Sequence, residues 1–153
     1  MTGAGRLMDS AEALIEQLGL AAHPEGGWYR ETWRGEPGPD GRAGGTAILF
    51  LLRAGEASHW HRVDAAELWI WQAGDPVELR LAASGAGPVR SVILGSDVAA
   101  GQKLQGLVAP HEWQAARPHG GAKHGYSLVS CVVVPGFDFA GFTLAPPGWE
   151  PGR

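Results

Sequence analysis

The sequence predicts an all-β fold, a small closed barrel preceded by one short helix. Three observations lead there. Short apolar runs of strand length recur along the chain, turn residues separate nearly every pair of them, and a helical period occurs only once, close to the start. The helix is expected over residues 9–18 (DSAEALIEQL). Asp9 or Ser10 caps it, Glu12 supports the first turn, Leu14, Ile15 and Leu18 form one stripe, and Gly19 stops it. His23-Pro24-Glu25-Gly26-Gly27 reads as a turn and Trp28–Arg34 as a strand, followed by a mobile Gly/Pro-rich loop, Gly35–Gly45.

The further strands are expected at Thr46–Arg53, Ser58–Arg62, Glu67–Gln72, Val77–Ala82, Val89–Leu94, Gln105–Ala109, Trp113–Ala116, Ser127–Val134 and Phe139–Leu144. Gly55, Asp64, Gly74-Asp75-Pro76, Gly85–Pro88, Gly101 and Pro135-Gly136 punctuate them. Of sandwich and barrel solutions, a jelly roll fits best, because it hides strand edges and leaves room for a cavity. At 153 residues the chain suits one domain, 1–153, with the barrel over about 28–145.

Composition narrows the function classes. The formal charge of −4, with Lys and Arg scattered, offers no footprint for nucleic acid. No apolar run approaches the roughly 20 residues needed to span a bilayer, so no membrane partner is expected. The first residues lack the pattern of a secretory signal, and Cys131 is the only cysteine, which fits a buried core position and a cytoplasmic location. P-loop, dinucleotide, nucleophile-elbow and zinc-cysteine motifs are all missing from the sequence.

The chemistry concentrates in Gly55–Gly74, GEASHWHRVDAAELWIWQAG. His59 and His61 are two apart on a strand, which puts both imidazoles on one face with Cα atoms roughly 6.5 Å apart. After the turn at Val63–Ala66, Glu67 returns toward them on the next strand. Two histidines and a carboxylate with open positions suit one divalent metal ion. The same His61–Glu67 pair equally suits metal-free acid–base work, Glu67 orienting His61 as a base. Trp69 and Trp71 alternate onto the Glu67 face as walls for a ligand, and Arg30, between aromatics on its strand, is placed to hold an anionic group. His23 sits in a turn and reads as an ordinary surface residue.

Gly55, His59, His61, Glu67 and Gly74 resemble the first signature of the cupin superfamily, Gly…His-x-His…Glu…Gly. Gly101–Gln114 is similar to its second signature, with Gln114 where a fourth ligand, a histidine, is usual. HPEGGWYRETWR at 23–34, HRVDAAELW at 61–69, GDPVELRL at 74–81 and PGFDFAGFTLA at 135–145 resemble a small uncharacterised single-domain branch of that superfamily. The resemblance implies a cupin jelly roll, a homodimer paired through its sheets, and a site on His59, His61, Glu67 and Gln114 for one divalent ion (Fe, Mn, Zn or Ni).

Three functions follow from these residues. The first is an isomerase- or epimerase-type enzyme on a small polar or sugar-like molecule, with His61 and Glu67 as the acid–base pair and Tyr29 or Tyr126 as a proton donor. A mononuclear metal enzyme on His59, His61, Glu67 and Gln114 is the second. The third is a non-catalytic binding module walled by Trp69 and Trp71.

Overall fold

The computed structural model describes residues 10–153. Asp9, one of the two expected helix caps, lies outside the described residues. Ser10 fills the role, its side chain accepting from the Ala13 N–H (3.1 Å) at the head of helix α1, Ala11–Leu18. Gly19, with φ 67°, ends the helix; its own N–H and that of Leu20 close onto the carbonyls of Glu16 and Ile15.

Eleven strands follow among the described residues: β1 (Ala21–Ala22), β2 (Trp28–Arg34), β3 (Thr46–Arg53), β4 (Ser58–Val63), β5 (Ala66–Gly74), β6 (Val77–Ala82), β7 (Arg90–Leu94), β8 (Gln105–Val108), β9 (Trp113–Pro118), β10 (Tyr126–Val134) and β11 (Phe142–Leu144). They form two antiparallel sheets, ordered β1-β2-β3-β10-β5-β8 and β11-β4-β9-β6-β7. This is the all-β jelly-roll class that the sequence predicts. The barrel is not sealed by hydrogen bonds: the sheets stay separate, and Leu94 at the end of β7 bridges Lys103, which precedes β8.

The cross-strand register explains where the polar site sits. On the inner face of the larger sheet, Phe50 and Val129 share a row with Trp71, the next row holds Ile48, Cys131 and Trp69, and the next Thr46, Val133 and Glu67. Apolar rows pack with Leu79, Leu81, Val77 and Leu94 of the other sheet into one core. The row that ends in Glu67 lies beyond that core and opens the cavity.

Two expectations need correction here. Loop 35–45 was expected to be mobile, but it is a hydrogen-bonded hairpin, with Gly35 N–H on Gly45 O and Gly38 N–H on Arg42 O. Arg42 pins it by a bidentate pair to Asp64 (2.7 and 3.0 Å) and an Nε–H bond to Gly136 O (2.7 Å). The expected strand 139–144 opens as a 3₁₀ turn capped by Asp138, leaving only Phe142–Leu144 extended.

Candidate functional site

A pocket of about 340 Å³ opens between the sheets. Its floor carries His23, Glu25, His61, Glu67 and Cys131; Tyr29 and Ile48 form part of the wall, and Phe137 and Phe139 the lip. Arg34 and Arg42 stand at the mouth, each already paired with a carboxylate, Glu31 and Asp64 respectively.

His61 and Glu67 are both buried at the floor, on β4 and β5. The Nδ1–H of His61 donates to the carbonyl of His59 (2.8 Å), because a carbonyl can only accept. The lone pair of the neutral ring is therefore on Nε2. Burial lowers the His61 pKa, partly offset by the charge of Glu67. Burial likewise raises that of Glu67, against the opposing pull of His61 and of donors from Gln114 and Cys131.

His59 does not join them. The register between β4 and β9 runs from Ser58–Ala116 to His61–Gln114, three steps on one strand against two on the other. That bulge breaks the alternation that would have put His59 beside His61. Its ring turns instead to the carbonyl of Pro146 (Nε2 to O, 2.9 Å). Trp60 packs on the opposite face, with Trp113, Ala115 and Ala145.

Gln114 is buried beside Glu67, but its amide faces the wrong way for a metal. The Trp69 indole N–H, a donor only, binds its Oε1 (2.9 Å), and its Nε2 donates to Glu67 Oε1 (2.9 Å). An amide N–H group is not a metal ligand. With His59 turned out and Gln114 presenting hydrogens, the four-residue set does not fit a metal ion. Among the described residues, no group of three or more His, Cys, Asp and Glu is arranged to hold one.

Trp69, Trp71 and Arg30 also leave the pocket. Trp69 shares the Glu67 face, as the pleat requires, yet it is fully buried in the core edge-to-face on Phe50. Trp71 reaches toward the other end, donating to Asp75 O (3.1 Å). Arg30 pairs in register with Leu49 on the outer face, and its guanidinium binds the carbonyl of Leu18 at the end of α1 (3.3 Å). The inward positions of β2 belong to Tyr29 and Glu31, both of which line the pocket. Tyr126 packs beneath α1 instead.

Two floor residues were missed by sequence reasoning. His23 is buried, not a surface residue, and Glu25 lies beside it. Both come from the turn between β1 and β2. Gly26 and Gly27, with φ of 108° and 77°, let that turn fold under the barrel; a Cβ on Gly26 would collide with the Ala57 carbonyl. The signal was the Gly26-Gly27 pair, which marks a close backbone approach and not merely a turn. Burial lowers the His23 pKa to about 4, with His61 adding to the effect, and raises that of Glu25 to about 8 despite the hydroxyl of Ser58.

The family model of the cupin superfamily (DUF985) matches residues 12–145. The chain belongs to the cupin superfamily. Solved structures similar to this cupin include protein SO0799 from Shewanella oneidensis, at 39% identity over 89% of this chain and 84% of that one, TM-score 0.82. A hypothetical protein from Leishmania major is 33% identical, covering 92% and 89%, TM-score 0.80. Oxalate decarboxylase of Bacillus subtilis shares the fold at 11% identity, TM-score 0.59, and the match covers 81% of this cupin and 29% of that chain.

Proposed function

We propose that this cupin is an acid–base enzyme of the isomerase or epimerase type, acting without a metal on a small polar, sugar-like molecule. The observation that carries the reading is the floor itself: His61, with its lone pair on Nε2, and Glu67 are buried together at the end of a pocket of ligand size. His61 Nε2 takes a proton from the substrate, and Glu67, held by Gln114, supports the imidazolium that forms. The substrate's oxygen needs a proton donor, and the pocket offers the Tyr29 hydroxyl and the Glu25 carboxyl. Phe137 and Phe139 at the lip take the less polar part of the molecule.

The reading includes a homodimer, formed through the part of the larger sheet's outer face that α1 and the other described residues leave open, and a cytoplasmic location. Among the described residues no helix is long and apolar enough to cross a membrane.

The test is solvent exchange. A panel of aldoses, ketoses and their hydroxy-acid relatives is incubated in deuterated buffer with the protein, and incorporation at carbon is followed by NMR. Deuterium is expected to enter one class of these compounds and to stop entering it in His61→Asn. Exchange that persists in that variant removes His61 as the base. Near-stoichiometric metal in protein purified without added nickel, lost in Glu67→Ala, would overturn the metal-free reading.

A further inference from the structure

With both rings neutral, as burial favours, the turn that carries His23 and Glu25 sets a hydrogen-bonding problem with one solution. Glu25 Oε2 accepts from the Ser58 hydroxyl. Its other oxygen, Oε1, faces two ring nitrogens, His23 Nδ1 at 3.3 Å and His61 Nε2 at 3.5 Å. Backbone groups decide what those nitrogens carry. His23 Nδ1 accepts from the backbone N–H of Glu25 (3.1 Å), and an amide N–H only donates, so this nitrogen bears a lone pair. His61 Nδ1 meets the His59 carbonyl, so the hydrogen of the neutral ring is there and Nε2 bears the lone pair.

An ionised Glu25 would therefore set a negative oxygen against two lone pairs, in a buried site. The remaining groups that face it do not relieve this. Glu67 arrives from β5 as a second carboxyl, Cys131 from β10 as a buried thiol, and Tyr29 from β2 packs edge-on against His23. No lysine or arginine is paired with Glu25 among the described residues. One hydrogen on Oε1, placed between the two nitrogens, replaces this repulsion with attraction to both and leaves Oε2 to accept from Ser58.

We infer that Glu25 is the proton-carrying residue of the pocket: it holds a hydrogen on Oε1, shared between His23 Nδ1 and His61 Nε2. The location of this proton does not depend on which reaction the pocket performs. Its use rests on the acid–base reading and balances as follows. His61 Nε2 removes a proton from a substrate carbon next to a carbonyl. The Glu25 carboxyl gives its proton to that carbonyl oxygen, leaving a neutral enediol, an imidazolium and a carboxylate. The proton then passes from His61 Nε2 to Glu25 Oε1, and the protein is restored with no net gain or loss. His23 holds Glu25 in place through its contacts with both the carboxyl and the backbone N–H, and acts as a positioning residue.

Two measurements on the full chain test this. Nitrogen-15 NMR of histidine-labelled protein at neutral pH is expected to show both rings neutral, His23 with its hydrogen on Nε2 and His61 with its hydrogen on Nδ1. Infrared spectra are expected to show a protonated-carboxyl band that shifts in deuterated water, is lost in Glu25→Gln and is retained in Glu67→Gln. A doubly protonated His61 or His23, or a band that survives in Glu25→Gln, would overturn the assignment. If Glu25→Gln fails to fold, the wild-type nitrogen shifts decide alone. A proton found on Glu25 with no exchange into any trial substrate would sink the isomerase reading and leave this one standing. A doubly protonated His61 with exchange intact would do the reverse.

Discussion

Glu25 and His23 put opposite pH dependences into the same few cubic ångströms. A carboxyl whose pKa rises to about 8 on folding holds a proton that the unfolded chain has already lost. Its contribution to stability is complete below its unfolded value of 4.5 and is lost as pH rises through about 8. His23, lowered from 6.5 to about 4, behaves the other way: its contribution is present above pH 6.5 and is lost as pH falls toward 4. Between pH 4.5 and 6.5 these two slopes oppose one another, with His61 adding to the rise and Glu67 to the fall, and above 6.5 only the carboxyls remain. From Glu25 stability should then fall by about 1.4 kcal/mol per pH unit between 6.5 and 8, and Glu67 acts in the same direction. Urea denaturation across that range would show it, and Glu25→Gln should flatten the slope; an equal slope in the variant would assign the dependence to another group.

The Trp69 indole has an equally local consequence. Trp69→Phe removes the donor to Gln114 Oε1 and leaves a buried acceptor unpaired, which should cost about 1–3 kcal/mol. It should also move the pH profile of any exchange reaction, since Gln114 could then rotate away from Glu67; an unmoved profile would reduce Trp69 to a core residue. At this scale the sequence could be read for His61 and Glu67, whose types and strand positions mark them. It could not be read for Arg30, Trp69 and Trp71. Period 2 told which residues share a face, but not how deep along the barrel each one lies, nor that the Glu67 row is where the cavity starts.

At the scale of elements, a bulge and a turn decide the site. The extra residue in β4 leaves no trace in the pattern SHWHRV, so the expected His59–His61 pairing looked sound and fails in three dimensions. His59→Ala should accordingly cost no more than about 1 kcal/mol, the worth of one hydrogen bond to Pro146, and leave exchange chemistry in place; a loss as large as that of His61→Asn would return His59 to the site. The turn is less forgiving. Both Gly26→Ala and Gly41→Ala pay roughly 1–2 kcal/mol for a positive φ, but Gly41 has open space around it, whereas Gly26 meets the Ala57 carbonyl. The first should therefore destabilise more and displace Glu25. Equal thermal shifts in the two variants would mean that only backbone strain matters. Strand ends were readable where a turn residue bounds an apolar run, as at Trp28–Arg34, Thr46–Arg53 and Val77–Ala82. β1, two residues of alanine, has no side-chain signal and exists only because Ala21 and Ala22 pair with Tyr29 and Trp28.

Over the whole molecule, the sheet class follows from the number of short apolar runs and the turns between them, which is why it could be read with no knowledge of the site. What the runs could not tell is which sheet face remains bare among the described residues. Helix α1 covers Leu51, Leu128 and Ala73 at one end of the larger sheet. Beyond it the register aligns Trp33, Ala47 and Val132 in one row, with Leu68 and Leu107 continuing it, and Leu49, Ser130 and Ile70 in the next, between Arg30 and Gln105 at its ends. Trp33 is 52% exposed, Val134 54% and Leu107 62%. So much apolar surface on a regular sheet is the basis for proposing a second copy as its cover. Light scattering should give twice the mass of one chain, and Leu107→Glu should halve it without lowering helix or strand content. A wild-type mass of one chain would remove the dimer.

The mouth of the pocket is fastened by an ion pair that solvent reaches, while its floor is buried. Arg42, reaching from the 35–45 hairpin to Asp64 and Gly136, works as a latch that dissolved ions can loosen, whereas the neutral contacts of Glu25 with its two histidines lie beyond their reach. Traffic and chemistry are thereby separately adjustable: salt should quicken the entry and exit of a ligand and leave the proton steps beneath it at their own pace.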